Sequence, residues 1–206
     1  MIKEFLNTDS IAFKAAKIFS KLPISPNQWT ILSVIPAIIG FYLAYTGLLS
    51  EAGLLFLIAG LMDGIDGGLA RYLKKSTKLG AFMDGVIDRF IDFLLVFAFL
   101  FIGLPDFIFS ITIWVVIQAY FALMPTFIVA YANHREAVID PTEKVVWRIL
   151  HRTEMYPLWI IALVVASFNP MWGTYIFVFT AVLSVITTFQ SFILSVIKSK
   201  NYNQIV

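Results

Sequence analysis

Cysteine is absent from this chain of 206 residues, and charged residues make up only 14% of it. The lack of cysteine excludes a disulfide framework, thiolate metal sites and thiol catalysis. Hydrophobic residues make up 60% of the chain, and the mean hydropathy is +0.86. Soluble domains are closer to about half apolar and about a quarter charged. We therefore expect an integral membrane protein, whose apolar surface faces lipid.

Long apolar runs fill most of the chain. A bilayer-spanning helix needs roughly 20 mostly apolar residues. On that basis the sequence predicts six spans, at 29–49, 52–73, 79–104, 107–132, 154–168 and 172–197. We expect an all-α membrane fold in a single domain, with a six-helix core at 27–198 and a tail at 199–206.

The segment at 1–26 precedes the first span and has a different pattern. Thr8, Asp9 and Ser10 are suitable helix caps, and apolar residues follow at helical spacing, with Lys14, Lys17 and Lys21 on the opposite face. This pattern predicts an amphipathic helix in the membrane interface, whose lysines face anionic lipid heads. A soluble surface helix is the alternative.

Lysine and arginine are missing from three of the predicted loops, those around Ser50, Pro105 and Asn169. All 15 lie before the first span, around the connection between the second and third, between the fourth and fifth, or after the sixth. The positive-inside rule then places both termini and the two basic loops in the cytoplasm of a cell membrane.

Four aspartates lie within the second and third predicted spans, close to the basic loop that joins them. Asp63 and Asp66 share a helix face with Gly67, Ala70 and Arg71, and Gly80, Asp84 and Asp88 share a face of the next helix. Ionisable residues at membrane depth are costly and usually functional. Clustered carboxylates without His or Cys favour a hard divalent cation. The small residues leave room for a ligand, although close helix packing is an alternative role.

The string Asp-x-x-Asp-Gly-x-x-Ala-Arg, then eight residues, then Gly-x-x-x-Asp-x-x-x-Asp, resembles the signature of the CDP-alcohol phosphotransferases. All eight fixed positions are matched. The resemblance extends to the six spans and the preceding interfacial helix. "SPNQWT", at 25–30, is also similar to a recurrent stretch in that family.

The resemblance implies an enzyme that transfers a substituted phosphate group from a CDP-alcohol, such as a CDP-linked lipid, to an acceptor hydroxyl and releases CMP. It implies Mg²⁺ or Mn²⁺, as two ions, and a homodimer, with no role for nucleic acid. The implied metal ligands are Asp63, Asp66, Asp84 and Asp88. Asp88 is the candidate general base, although it could serve as a ligand alone. The implied nucleotide site consists of Asn27, Thr30, Gly67, Ala70, Arg71 and Gly80.

The acceptor is the least defined part of the prediction. Arg89 followed by Asp92 resembles the inositol-type branch of the family, which favours inositol phosphate, although the pair could simply anchor the helix at the interface. Glycerol phosphate, serine or another amino alcohol are the alternatives. A phosphorylated acceptor needs cations, and the candidates are Arg135, Lys144, Arg148 and Arg152. Each of these four could instead be a topology residue.

Two other classes of function compete with a transferase. A divalent-cation transporter also needs acidic residues in the membrane, but Arg71 beside the metal would hinder passage of a cation. A scaffold without activity would have no reason to retain all four aspartates.

Overall fold

The computed structural model describes residues 17, 19–138 and 149–203. Packing divides the chain into two compact units, Met1–Ala98 and Phe99–Val206. Whether the two units form a single domain depends on how they join, so the single domain stays a prediction. Most of the predicted interfacial helix at the N-terminus lies outside the described residues.

The described residues form an all-helical structure. The first unit contains α1 (Pro26–Leu32), α2 (Val34–Tyr45), α3 (Leu49–Tyr72) and α4 (Lys78–Ala98). The second contains α5 (Ile111–His134), α6 (Arg152–Phe168) and α7 (Pro170–Asn203). In the first unit α1 and α2 both pack against α3 and α4, and in the second α7 packs against both α5 and α6.

Among the described residues, four helical segments are long and apolar enough to cross a bilayer, namely Pro26–Tyr45, Leu49–Tyr72, Ile111–His134 and Pro170–Lys200. Large apolar side chains such as Ile38, Tyr42 and Phe179 are exposed along them. The protein is therefore a multi-pass membrane protein. The other two predicted spans are helical but atypical, since α4 includes three aspartates and α6 has 17 residues. A count of six spans stays a prediction.

The third predicted span, 79–104, ends early, at Ala98. The first predicted span also differs from the structure. It begins at Pro26 rather than at residue 29, and it is interrupted at Ser33, where α1 ends and α2 begins. The early start has a local cause. The backbone amide of Gln28 donates to Ser25 Oγ (3.3 Å), and the backbone amide of Ser25 donates to Gln28 Oε1 (2.8 Å). This arrangement is a capping box. Pro26 then occupies the first helical position, where no amide donor is needed.

The fourth span, in contrast, begins later than predicted, at Ile111 rather than at residue 107. The residues before it form a turn, in which Trp114 Nε1 donates to the Phe107 carbonyl (2.8 Å). Asp106 Oδ1 accepts from the Ile111 amide (2.9 Å) and so satisfies one of the free donors at the start of α5.

Candidate active site

Three of the four predicted metal ligands converge in the first unit. Asp63 and Asp66 lie on α3 and Asp84 lies on α4, and each provides a carboxylate oxygen within 4.8 Å of the other two. Asp66 is buried and the other two are half-buried. Three carboxylates at this spacing form a ligand set suited to a hard divalent cation. The Asp63, Asp66 and Asp84 group is called the aspartate cluster below.

A third helix contributes to the aspartate cluster through Thr30. The Thr30 hydroxyl donates to Asp66 Oδ2, and it also lies 3.2 Å from the Pro26 carbonyl oxygen one turn earlier. Both side chains are buried. Because the capping box fixes the start of α1, it also fixes where Thr30 and Asn27 point.

A cleft of ≈ 180 Å³ lies beside the cluster. All six residues predicted for the nucleotide line it, together with Asp66 and Asp84. Five further residues that no sequence pattern predicts for the site complete the lining: Pro26, Lys75, Ser76, Thr77 and Ala81. Lys75 is in the basic loop, which the positive-inside rule explains as a topology signal. Its position four residues after Arg71 was the available clue.

The glycines of the cleft have two different roles. A Cβ on Gly80 would lie 3.0 Å from Asn27 Oδ1 and 3.2 Å from Thr77 Oγ1, so this glycine lets α1 and α4 approach each other. A Cβ on Gly67 or Gly64 would meet no atom within 4 Å. Gly67 therefore keeps open space inside the cleft, where a ligand can reach the backbone of α3.

The loop between α3 and α4 is ordered by its own hydrogen bonds. The Lys75 amide donates to the Ala70 carbonyl (2.9 Å) and the Lys74 amide to the Arg71 carbonyl (3.2 Å), with Lys74 in the left-handed region at φ 53°. This is the Schellman arrangement that commonly ends a helix. Thr77 Oγ1 then accepts from the Gly80 amide (2.9 Å) at the start of α4. Both cations of the cleft, Arg71 and Lys75, are held on either side of this turn.

Asp88 is placed differently from the other three aspartates. Its Oδ2 atom lies 3.7 Å from Arg89 Nη2, and Arg89 Nη1 lies 3.3 Å from Asp92 Oδ2. Asp92 is buried. Arg89 thus bridges two carboxylates on α4, one of which is the candidate base. The role of Asp88 as base or as a fourth ligand stays a prediction.

The four candidate acceptor residues are not gathered into a described site. Lys144 and Arg148 lie outside the described residues. Arg135 is the exposed residue at the end of α5, and Arg152 begins α6, with its guanidinium carbon 5.3 Å from the centroid of the Tyr156 ring. Both belong to the second unit, whereas the cleft belongs to the first, so their role stays a prediction.

Comparison with known sequences identifies one family. A sequence profile of the CDP-alcohol phosphatidyltransferase family matches residues 23–197. The bifunctional IPC transferase and DIPP synthase of Thermococcus kodakarensis is 35% identical over 116 residues, which are 54% of this chain and 24% of that protein. The archaetidylinositol phosphate synthase of Pyrococcus horikoshii is 34% identical over 79 residues, or 38% of this chain and 42% of that one. The chain thus aligns with less than half the length of these relatives.

Comparison with solved structures identifies the fold. The phosphatidylinositol phosphate synthase of Mycobacterium tuberculosis, solved with CDP-DAG bound, matches with a TM-score of 0.75 and 21% identity. The match covers 90% of this chain and 94% of that chain. The same enzyme has also been solved with manganese and citrate. The likeness shows the fold, and the divalent-metal site of this chain is indicated by its own aspartate cluster.

Proposed function

Because the chain belongs to the CDP-alcohol phosphatidyltransferase family, we propose that it transfers a substituted phosphate group from a CDP-alcohol to the hydroxyl of a small polar acceptor, with release of CMP. The single observation that carries this proposal is the aspartate cluster on the wall of a cleft that all six predicted nucleotide residues line. We propose that the donor is a CDP-linked lipid, since two of the helical segments that line the cleft, Pro26–Tyr45 and Leu49–Tyr72, are long and apolar enough to cross a bilayer.

The cleft has the features that a nucleoside diphosphate requires. Arg71 and Lys75 provide cations for the diphosphate, and Arg can bind phosphate oxygens in a bidentate manner. The open space at Gly67 allows the diphosphate to approach the backbone of α3. Asn27 and Thr77 lie against Gly80 and provide polar groups on the opposite wall.

We propose that Asp63, Asp66 and Asp84 hold Mg²⁺ or Mn²⁺, with Asp88 joining them in a second site. The residues fit this assignment, since the three carboxylates lie within 4.8 Å of one another. When bound, such ions neutralise the diphosphate and stabilise CMP as a leaving group. The protein contributes by holding the carboxylates in place, and the Thr30 hydroxyl orients that of Asp66.

We propose that Asp88 takes the proton from the acceptor hydroxyl. It follows Asp84 by four residues and so shares its face of α4. The adjacent Arg89 lies 3.7 Å from Asp88 Oδ2 and stabilises the charged carboxylate that a base requires. Arg89 is itself held by the buried Asp92.

We propose inositol phosphate as the acceptor. The names of two relatives support it, one an archaetidylinositol phosphate synthase and the other a bifunctional IPC transferase and DIPP synthase. Arg89 followed by Asp92 resembles the inositol-type branch, and the two side chains form an ion pair of 3.3 Å, which a helix anchor at the interface would form as well. The cations proposed to bind the acceptor phosphate remain Arg135, Lys144, Arg148 and Arg152.

We also propose an orientation in the membrane and an oligomeric state. Both termini and the cleft face the cytoplasm of the cell membrane, since all lysines and arginines lie on one side of the predicted topology. The predicted core has six membrane helices preceded by an interfacial helix, and the family resemblance favours a homodimer.

The test is CMP release by the purified protein with a CDP-linked lipid, Mg²⁺ or Mn²⁺, and a panel of inositol phosphate, glycerol phosphate, serine and other amino alcohols. We expect CMP release with inositol phosphate at a higher kcat/KM than with the other acceptors. Asp88→Asn should abolish turnover while donor binding persists. Glu51→Gln, which neutralises a carboxylate at the far end of α3, is the matched control and should retain full activity.

Three results would contradict the proposal. Absence of CMP release with every donor and acceptor would refute the transferase assignment, and Mn²⁺ flux through proteoliposomes would then favour a cation transporter. Full activity of Asp88→Asn would exclude it as the base. A preference for glycerol phosphate over inositol phosphate would refute the acceptor assignment alone.

A further inference from the structure

A second and larger cavity lies between α5 and α7, wholly within the second unit. Its volume is ≈ 770 Å³. The lining is mostly apolar and aromatic and includes Phe121, Met124, Phe127, Phe189, Phe192 and Val196. The function proposed above makes no use of this cavity, which we call the α5–α7 cavity.

The cavity runs along both helices for the depth of one leaflet. Its lining extends from Tyr120 to Ala132 on α5 and from Thr188 to Lys200 on α7. At a rise of 1.5 Å per residue each stretch is about 18 Å long, compared with about 15 Å for half of the hydrocarbon core. The two helices run in the same direction, because Gln118 contacts Ser184 and Phe121 contacts Thr188 further along.

Charge is confined to one end of the cavity. Lys200 is the single charged side chain among the described residues that line it, and it is the last residue of a candidate span. Ser199, Ser195 and Tyr131 provide hydroxyl groups in the last two turns of the lining. His134 is the last residue of α5, and the exposed Arg135 and Glu136 follow it.

A folded-back turn helps to build the charged end. The Ala137 amide donates to the Ala132 carbonyl (3.0 Å), and Glu136 adopts a left-handed conformation at φ 55°. Val138 is thereby buried against Val129, Ala132 and Leu194, and Ala137 becomes part of the lining. The cavity is therefore bounded by tertiary structure at this end.

We propose that the α5–α7 cavity binds an anionic glycerophospholipid of the bilayer, with an acyl chain along the aromatic lining and the phosphate at Lys200 and Ser199. Basic pockets between membrane helices are suited to anionic head groups. The length, the apolar lining and the cation at one end fit one lipid of one leaflet. The proposal is independent of the transferase activity.

The test measures retained lipid by native mass spectrometry of the full chain, after reconstitution with phosphatidylglycerol or with phosphatidylcholine. Val196→Trp fills the cavity, and Ile193→Trp adds the same side chain at an exposed position of α7 that does not line it. We expect the wild type and Ile193→Trp to retain one phosphatidylglycerol per chain, and Val196→Trp to lose it.

A second pair of variants tests the head group. Lys200→Gln should weaken phosphatidylglycerol binding about fivefold, as expected for one lysine at a lipid phosphate, and leave phosphatidylcholine binding unchanged. Lys198→Gln removes the same charge two residues away, outside the lining, and should bind as the wild type does. If Val196→Trp does not fold, this pair decides the question.

Four outcomes would overturn the proposal. Retention of phosphatidylglycerol by Val196→Trp would exclude the cavity, and equal binding by the two lysine variants would exclude Lys200 as the head-group contact. A change of oligomeric state in Val196→Trp alone would identify an interface between copies. A raised KM for the CDP-linked donor, with phosphatidylglycerol retention unchanged, would assign the cavity to the donor chains.

Discussion

Among the described residues, each unit has a polar cluster between its helices, and the two clusters differ in charge: one is neutral and the other is acidic. In the second unit the buried Gln118 donates to Ser184 Oγ (2.7 Å) and accepts from Thr180 Oγ1 (3.0 Å). Ser184 Oγ lies 3.1 Å from Met155 Sδ, so this neutral Gln118 cluster links α5, α6 and α7. The aspartate cluster instead brings three carboxylates within 4.8 Å of one another.

The polar groups of the Gln118 cluster hold helices together, whereas those of the aspartate cluster are suited to binding a cation. In the Gln118 cluster donors and acceptors match, and such interhelical hydrogen bonds stabilise packing in a membrane. In the aspartate cluster acceptors predominate and like charges repel, which lowers stability unless a cation binds. In this protein the hydrogen bonds of the Gln118 cluster account for its burial, whereas the unbalanced charge of the aspartate cluster points to a bound cation.

The largest expected effect is the loss of chemistry when one carboxylate is neutralised. Asp66→Asn keeps the shape of the side chain and removes a charge from the cluster, so we expect CMP release to fall by at least about 10²-fold. Without metal the variant should unfold no more readily than the wild type, because repulsion is reduced. Enzyme assays, calorimetric Mn²⁺ titration and thermal unfolding measure these effects. Unchanged Mn²⁺ affinity would contradict the assignment of this cluster.

The Gln118 cluster should show the reverse behaviour. Gln118→Leu removes both side-chain hydrogen bonds, so we expect a loss of about 1–2 kcal/mol in the free energy of unfolding. The kcat of the folded fraction should not change. Gln190→Leu, which removes one bond to the Ile149 amide, is the control and should cost less. If Gln118→Leu abolished kcat without a loss of stability, the two clusters would not differ in role.

The two cleft glycines offer a finer comparison within one site. Gly80→Ala should gain less stability than Gly67→Ala before any ligand is added, because its Cβ would lie 3.0 Å from Asn27 Oδ1 and this side chain would have to move. Gly67→Ala meets open space and should gain up to about 1 kcal/mol from helix propensity. We expect it to raise the KM for the CDP donor severalfold. Thermal unfolding and steady-state kinetics distinguish the two, and an unaltered donor KM in Gly67→Ala would contradict a ligand at that backbone.

The smallest effect concerns the turns that end α3 and α5. Lys74 and Glu136 both adopt left-handed conformations, with φ of 53° and 55°, whereas Gly47 occupies the equivalent position after α2. Lys74→Gly and Glu136→Gly should each stabilise the protein by about 0.5–1 kcal/mol. Chemical denaturation measures the gain. A loss on Lys74→Gly alone would show that the Lys74 side chain contributes to the first unit.

Much of the candidate site could be predicted because helical periodicity fixes which residues share a face. That rule placed Asp63 beside Asp66, and the aspartate signature itself indicated that Asp84 would meet them. It could not predict that Thr30 would reach Asp66, since the contact depends on how α1 packs. The sequence did not predict where α1 and α5 begin, because a capping box sets the start of α1 and the Asp106 side chain sets the start of α5. Lys75 was missed because a left-handed turn redirects the chain.

The Thr30 hydroxyl has a thermodynamic consequence. It carries one proton and has two acceptors, Asp66 Oδ2 and the Pro26 carbonyl. A ligand that takes the Asp66 oxygen shifts this proton toward Pro26, which strengthens the first turn of α1. Occupancy of the cluster and order at the start of the first membrane segment are thus linked equilibria, and hydrogen exchange in that turn would report the filling of the site.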